Sequence, residues 1–278
     1  MMFLRVMFQN NRLALFSAGF VVLLIVVAVF AGWISPYDPA VQDLASRLNG
    51  PSNAHWLGSD ELGRDVLSRV IYGTRISITV SVAVMLVSFL IGCYLGAIGG
   101  YFNGSLDQIL NIVLINSFMA FPGVLLAIAF IAFLGPGLSR LILALCLIGW
   151  IGFARLARGQ FLKTREMDFV TAARASGASS ARVILIHMVP NTIQPIVVQA
   201  CLGMANTILA EATLSFLGLG VPPPAPSWGS MLSDGRIHLF DAPHLVVFPA
   251  AAVMLAVLAF NFLGDALRDF FDTRGPKL

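Results

Sequence analysis

Residues 76–100 read ISITVSVAVMLVSFLIGCYLGAIGG, an unbroken run without a charged side chain. A hydrocarbon core of about 30 Å takes about 20 apolar residues to cross as a helix, so this stretch is read as a membrane span. Stretches of comparable character lie at 13–34, 109–134, 138–157, 193–212 and 245–263. The spacing therefore predicts an all-α polytopic membrane protein with six transmembrane helices. The bulk composition agrees: 58% of the 278 residues are hydrophobic, 11% are charged, and the mean hydropathy is +0.87. A soluble domain carries about 25% charge. A soluble globule, a disordered chain, a nucleic-acid binder and a secreted disulfide scaffold are excluded on these grounds. Cys93, Cys146 and Cys201 fall inside spans, where cysteine acts as a small hydrophobe.

The first span follows Arg5 and Arg12, as a signal peptide would. Its apolar run is too long for such a segment, no small-x-small site ends it, and Trp33 closes it as an interfacial anchor. It is expected to be retained. With the N-terminus inside and the spans alternating, eleven of the seventeen Lys and Arg residues face the cytoplasm and six face outward. The positive-inside rule then puts both termini in the cytoplasm. The chain divides into 1–75, which holds the N-terminal tail, the first span and an outer amphipathic segment, and 76–278, which holds the remaining bundle.

Three polar segments interrupt the spans. In the first, Asp60 is expected to cap a short interfacial helix whose apolar face is Val66, Leu67, Val70 and Ile71. Asp60, Glu61 and Asp65 interleave with Arg64 and Arg69 there, which reads as solvated ion pairs rather than catalytic carboxylates. The second segment, 155–190, carries six basic residues. Asp168 is expected to N-cap a short alanine-rich helix through Thr171, Ala172, Ala173 and Arg174, and Gly177 to stop it. A second helix follows to about Val189, ended or kinked by Pro190. This helix–glycine–helix elbow suits docking into a groove on another protein; a solvated basic loop fits the spacing equally well. The third segment holds the run Pro222-Pro223-Pro224-Ala225-Pro226, which is extended. Glu211 precedes it and either lines a path with Ser215 or pairs at a helix end. Asn111, Asn116, Gln199 and Asn206 are polar residues within spans, facing a cavity or joining helices by hydrogen bonds.

No Gly-x-x-x-x-Gly-Lys-Ser/Thr, HExxH or Gly-x-Ser-x-Gly motif occurs, so this chain has no P-loop of its own. Gly92, Gly96 and Gly100, four apart, allow another helix to approach closely. A channel would show charge rings or a filter sequence, and a membrane-embedded enzyme would gather His, Asp or Ser at the span ends. Neither pattern stands out.

The elbow resembles the cytoplasmic "EAA" loop of ABC-importer permeases, whose pattern is Glu-Ala-Ala, three residues, Gly, nine residues, Ile-x-Leu-Pro. Ala172, Ala173, Gly177 and Pro190 match it with the nine-residue gap preserved. Thr171 stands for the glutamate, His187 for the isoleucine and Val189 for the leucine. The stretches from Leu57 to Arg69, Ala172 to Asn191, Leu214 to Gly229 and Asn261 to Asp269 extend the likeness to the peptide/nickel family, specifically its dipeptide and oligopeptide "C" subunits.

The resemblance implies a type I ABC-importer permease fold in a prokaryotic inner membrane, with residues 76–278 as the permease domain and about 158–190 as the coupling loop. It implies a non-catalytic chain that binds no cofactor, since ATP and Mg sit on two partner ATPases. A second homologous permease and an extracytoplasmic solute-binding protein complete the assembly. Asp168, Thr171, Ala172, Ala173, Arg174, Gly177 and Pro190 would form the ATPase contact. Asn206, Glu211 and Ser215 would belong to the path or gate, and Trp56 and Trp228 to the surface that receives the binding protein. Di- or oligopeptides are the expected substrate, with nickel, a nickel chelate or glutathione as alternatives.

Overall fold

The computed structural model describes residues 12–272, and Arg5, Arg274 and Lys277 of the charge count lie outside them. Nine principal helical segments organise the described chain, beside short helical turns at Ala31–Ile34, Leu44–Ser46 and Arg236–His238. They are α1 (Arg12–Val29), α2 (Val66–Phe102), α3 (105–119), α4 (Gly123–Leu134), α5 (Leu138–Thr164), α6 (Asp168–Ala175), α7 (Ser180–Phe216), α8 (Trp228–Gly235) and α9 (His244–Asp272). Helices α1, α2, α5, α7 and α9 are each long and apolar enough to cross a membrane, and α3 with α4 supplies a sixth crossing if counted as one bent span.

The expected span at 109–134 is not one helix: its two halves meet at 89°. The residue before a proline is pushed out of the helical region, and Phe121 precedes Pro122, which sits at φ −58°, ψ 124° at the head of α4. Residues 109–115 adopt wide π-type turns before the break.

The core of the bundle is the pairing of α2 with α5, which run parallel. Gly92, Gly96 and Gly100 lie one turn apart on α2 and abut Trp150, Ala154 and Arg158, likewise one turn apart on α5. A Cβ at Gly92 or Gly96 would collide with the carbonyl oxygens of Trp150 and Ala154. At Gly100 it would lie 2.6 Å from the Phe161 Cβ. With no Cβ on three successive turns, the two backbones pack directly, which in lipid substitutes dispersion contact for the absent hydrophobic drive. Ala154 and Ala157 are fully buried in that seam. Around it, Val80, Val84, Ala127, Leu141 and Leu214 form one cluster. Val21, Ile208, Trp228 and Ala256 belong to another, which joins α1, α2, α7, α8 and α9.

The outer segment departs from expectation. Val66–Phe102 is one helix of 37 residues with no interfacial helix set apart, so residues 75 and 76 are neighbours within it. Its cap is Asp65, whose carboxylate accepts from the Ser68 amide at 2.7 Å. Asp60 instead closes a turn, accepting from the Leu62 and Arg64 amides at 2.9 Å each. Its ion pairs are not solvated: Arg64 Nε lies 2.6 Å and Arg69 Nε 3.3 Å from Asp60 Oδ2, with all three side chains buried. Pro190 also fails to end its helix, because wide turns at 183–188 carry the chain past it and the Asn191 side chain donates to His187 O at 2.6 Å.

Gly96→Ala should therefore destabilise the purified chain by about 1–3 kcal/mol, the usual cost of overpacking. Gly159→Ala, whose Cβ would meet open space, should change the thermal midpoint little or raise it. Equal midpoints for both variants would contradict the seam.

Candidate functional site

An open cavity lies between α2, α4, α5 and α7. Its α7 wall is Gln199, Gly203, Asn206, Thr207, Ala210 and Leu214, spaced by three and four so that all share one helix face. Val84 and Met85 of α2, Ile148 and Phe153 of α5, and Gly123 and Val124 of α4 complete it. The break at Pro122 places α4 there: a Cβ at Gly123 would lie 2.8 Å from Ile148, so α4 begins against α5. None of the lining residues is ionisable. The Thr207 hydroxyl donates to Gly203 O at 2.8 Å within its own helix. The Gln199 and Asn206 carboxamides, by contrast, have no hydrogen-bond partner among the described residues. A second open space lies nearer the elbow between α5, α7 and α9, and Gln199 lines it too.

The expected path residues separate. Asn206 is on the cavity wall. Glu211 is fully buried behind it, accepting from Ser77 Oγ at 2.7 Å and from Ser215 Oγ at 2.8 Å. A carboxylate held by two hydroxyls ties α7 to α2 and does not face the open space. Trp228 is likewise displaced from its expected role as a docking surface: it has no exposure, packs over Gly73, and donates its indole N–H to Val70 O at 3.0 Å. Trp56 is 72% exposed.

At the other end, α6 stands out from the bundle. Asp168 is its first residue and not its cap; Met167 precedes it in extended conformation, with no side-chain cap bond. The Gly177 stop is built as expected, with φ +80° and bonds from Gly177 N to Arg174 O at 2.9 Å and from Ala178 N to Ala173 O at 3.1 Å. That pair is a Schellman turn, in which glycine takes the left-handed residue without strain. Val170 is buried against Phe161, Val183 and Met188, and Ala173 packs on the same cluster. The opposite face, Asp168, Thr171, Ala172 and Ala175, is exposed, as is Pro190. Arg174 turns back to the bundle, its guanidinium 4.9 Å from the centre of the Tyr101 ring at the end of α2. Below it Arg158 of α5 grips Asp107 of α3 through two bonds of 2.6 and 2.7 Å. The elbow is thus fastened to α2 and α5 and presents a small-residue surface outward.

At the far end of the bundle, His55 Nδ1 lies 2.9 Å from Asp65, and Arg69 reaches Asp234 of α8 at 3.8 Å. Partial burial raises the Asp234 carboxyl above its ordinary range, with the Arg69 charge opposing the shift.

A protein-family model described as the binding-protein-dependent transport system inner membrane component matches residues 88–275. The chain belongs to this family. A second model, the N-terminal transmembrane domain of oligopeptide transport permease C, matches residues 3–51. The glutathione transport system permease protein GsiD of Escherichia coli O1:K1 is 45% identical over 98% of this chain and 88% of that protein. GsiD of Shigella boydii serotype 4 is 44% identical over the same shares. The inward-facing MetNI methionine ABC transporter superposes with a TM-score of 0.61 at 18% identity, covering 73% of this chain and 97% of that one, a likeness of fold. The chain is accordingly a polytopic inner-membrane permease subunit of an ABC importer. The cavity residues Met85, Val124 and Phe153 were not foreseen; the Phe121-Pro122-Gly123 triplet was the signal that would have placed the α4 wall.

Trp228→Ala should lower stability by about 3–5 kcal/mol, the cost of emptying a large buried aromatic site. Trp56→Ala should leave the thermal midpoint unchanged. A wild-type midpoint for Trp228→Ala would overturn the buried assignment.

Proposed function

We propose that this permease imports small peptides of the glutathione kind, released into its cavity by an extracytoplasmic binding protein. The observation that carries the reading is the unpartnered pair Gln199 and Asn206 on an otherwise apolar, uncharged wall. A carboxamide offers a donor and an acceptor together, which matches the amide groups of a peptide. The 45% identity to a glutathione permease over nearly the whole chain supports the same substrate class, and the broader di- and oligopeptide class shares its chemistry.

The elbow faces the cytoplasm in this reading, in keeping with its basic residues. Two ATPases bind and hydrolyse ATP, and one of them takes the exposed face of Asp168, Thr171, Ala172 and Ala175, with Gly177 and Pro190 shaping the flanks. Arg174 and Ala173 hold the elbow on the bundle, so its displacement moves α2 and α5 together. A second permease chain closes the open side of the cavity. Trp56 belongs to the surface that meets the binding protein, while Glu211 and Ser215 brace α7 against α2 as the gate moves.

The assembled complex, reconstituted with its partner permease, ATPases and binding protein, should hydrolyse ATP faster when the binding protein carries glutathione. Ala172→Asp, which puts a charge on the exposed elbow face, should remove that stimulation by about tenfold or more while the chain still inserts and keeps its thermal midpoint. Full stimulation of the variant would refute the docking face, and stimulation by nickel but not by any peptide would refute the substrate class.

A further inference from the structure

The two open spaces meet at one side chain. The first is lined along α7 from Gln199 to Leu214, and the second from Gln194 to Leu202 on the neighbouring face, with Leu156, Arg268 and Phe271. Gln199 lines both. Taken together they follow α7 over some twenty residues, about 30 Å of helix, which is the thickness of the hydrocarbon core. Gln199 is the one side chain common to the two linings, and a passage joining the spaces would have its neck there.

Two details make this residue more than a lining contact. A Cβ on Gly152 would stand in ordinary contact, 3.5 Å, with Gln199 Nε2, so the carboxamide rests beside α5 across the neck. The amide is half-buried yet has no partner among the described residues, so its hydrogen-bonding groups remain available to a passing molecule. Asn206 stands two turns further along the same face, about 10 Å away by helical rise, in the same unpartnered condition.

We infer that Gln199 is the selecting residue of the passage: at the neck its carboxamide hydrogen-bonds the backbone amides of a peptide moving between the two spaces, while Asn206 holds the same peptide on the far side. The inference rests on the peptide reading above and adds to it the place where the substrate is inspected. Carboxamides suit the task because they favour a molecule that offers both donor and acceptor, and they bind a charged end without trapping it.

The test uses the assembled importer in proteoliposomes, with S-methylglutathione as substrate because it carries no free thiol. In a chain whose Cys93, Cys146 and Cys201 are replaced by alanine, Gln199→Cys should react with a membrane-impermeant maleimide from the elbow side without nucleotide. It should react from the opposite side with ATP and vanadate, and substrate should slow the labelling. Leu209→Cys, on an exposed part of α7 off the cavity face, should label at a rate that substrate does not alter. Gln199→Leu, of similar size and without hydrogen bonds, should lower S-methylglutathione uptake about fivefold, the worth of roughly one hydrogen bond, and Gln199→Asn should restore part of it. Labelling from a single side, labelling indifferent to substrate, or wild-type uptake by Gln199→Leu would overturn the inference and leave the peptide reading standing. A wild-type importer that hydrolyses ATP yet moves no peptide would overturn both.

Discussion

Everything in this permease is arranged around the backbone contact between α2 and α5. In a membrane there is little hydrophobic gain from pairing two apolar helices, so closeness has to come from shape. Gly92, Gly96 and Gly100 supply it by leaving a groove that fits the α5 backbone at Trp150, Ala154 and Arg158. The consequences run in both directions along the pair. Toward the elbow, the seam delivers Tyr101 to Arg174 and Arg158 to Asp107. Toward the cavity, it fixes Met85 and Phe153 as two of the walls that face α7.

The polar groups divide into those used up by the fold and those left available. Asp60, Arg64, Arg69 and Asp65 are buried and carry ion pairs, and Glu211 is buried and held by two serine hydroxyls. Gln199 and Asn206 are uncharged, so facing an open space without a protein partner costs them little. Ion pairs lock the outer segment, two hydroxyls hold Glu211 at the α2–α7 contact, and uncharged amides face the open space.

Much of the fold was legible because its signals are long and local. Six apolar stretches gave the bundle, and the glycine stop at Gly177 followed from one residue's conformational freedom. The errors share a cause, which is that a one-dimensional pattern does not show what lies opposite. Trp228 reads as a surface aromatic until Gly73 provides the slot that buries it. Asp60 and Arg69 read as solvated until α8 covers them. Asp168 reads as a cap, though Met167 takes the extended position before it. The break at Pro122 was the exception, since the proline was visible and its effect on Phe121 is a local one. Within the cavity, Asn206 and Gln199 stood out as polar residues in an apolar span. Which of the span's polar groups faced open space depended on helix rotation, and Glu211 and Ser215 turned the other way.

The length of α2 has a mechanical consequence. One helix of 37 residues without a proline runs from the Asp65 cap, beside His55 and the outer segment, to Tyr101 under the elbow. α7 crosses the same thickness with Pro190 and Pro195 and a stretch of wide turns near its elbow end. Each proline in α7 removes a backbone donor, while the hydrogen-bond ladder of α2 carries none of these interruptions. The two helices are joined at Glu211. The two faces of the molecule are thus linked once by a continuous helix and once by a helix whose ladder is broken near the elbow.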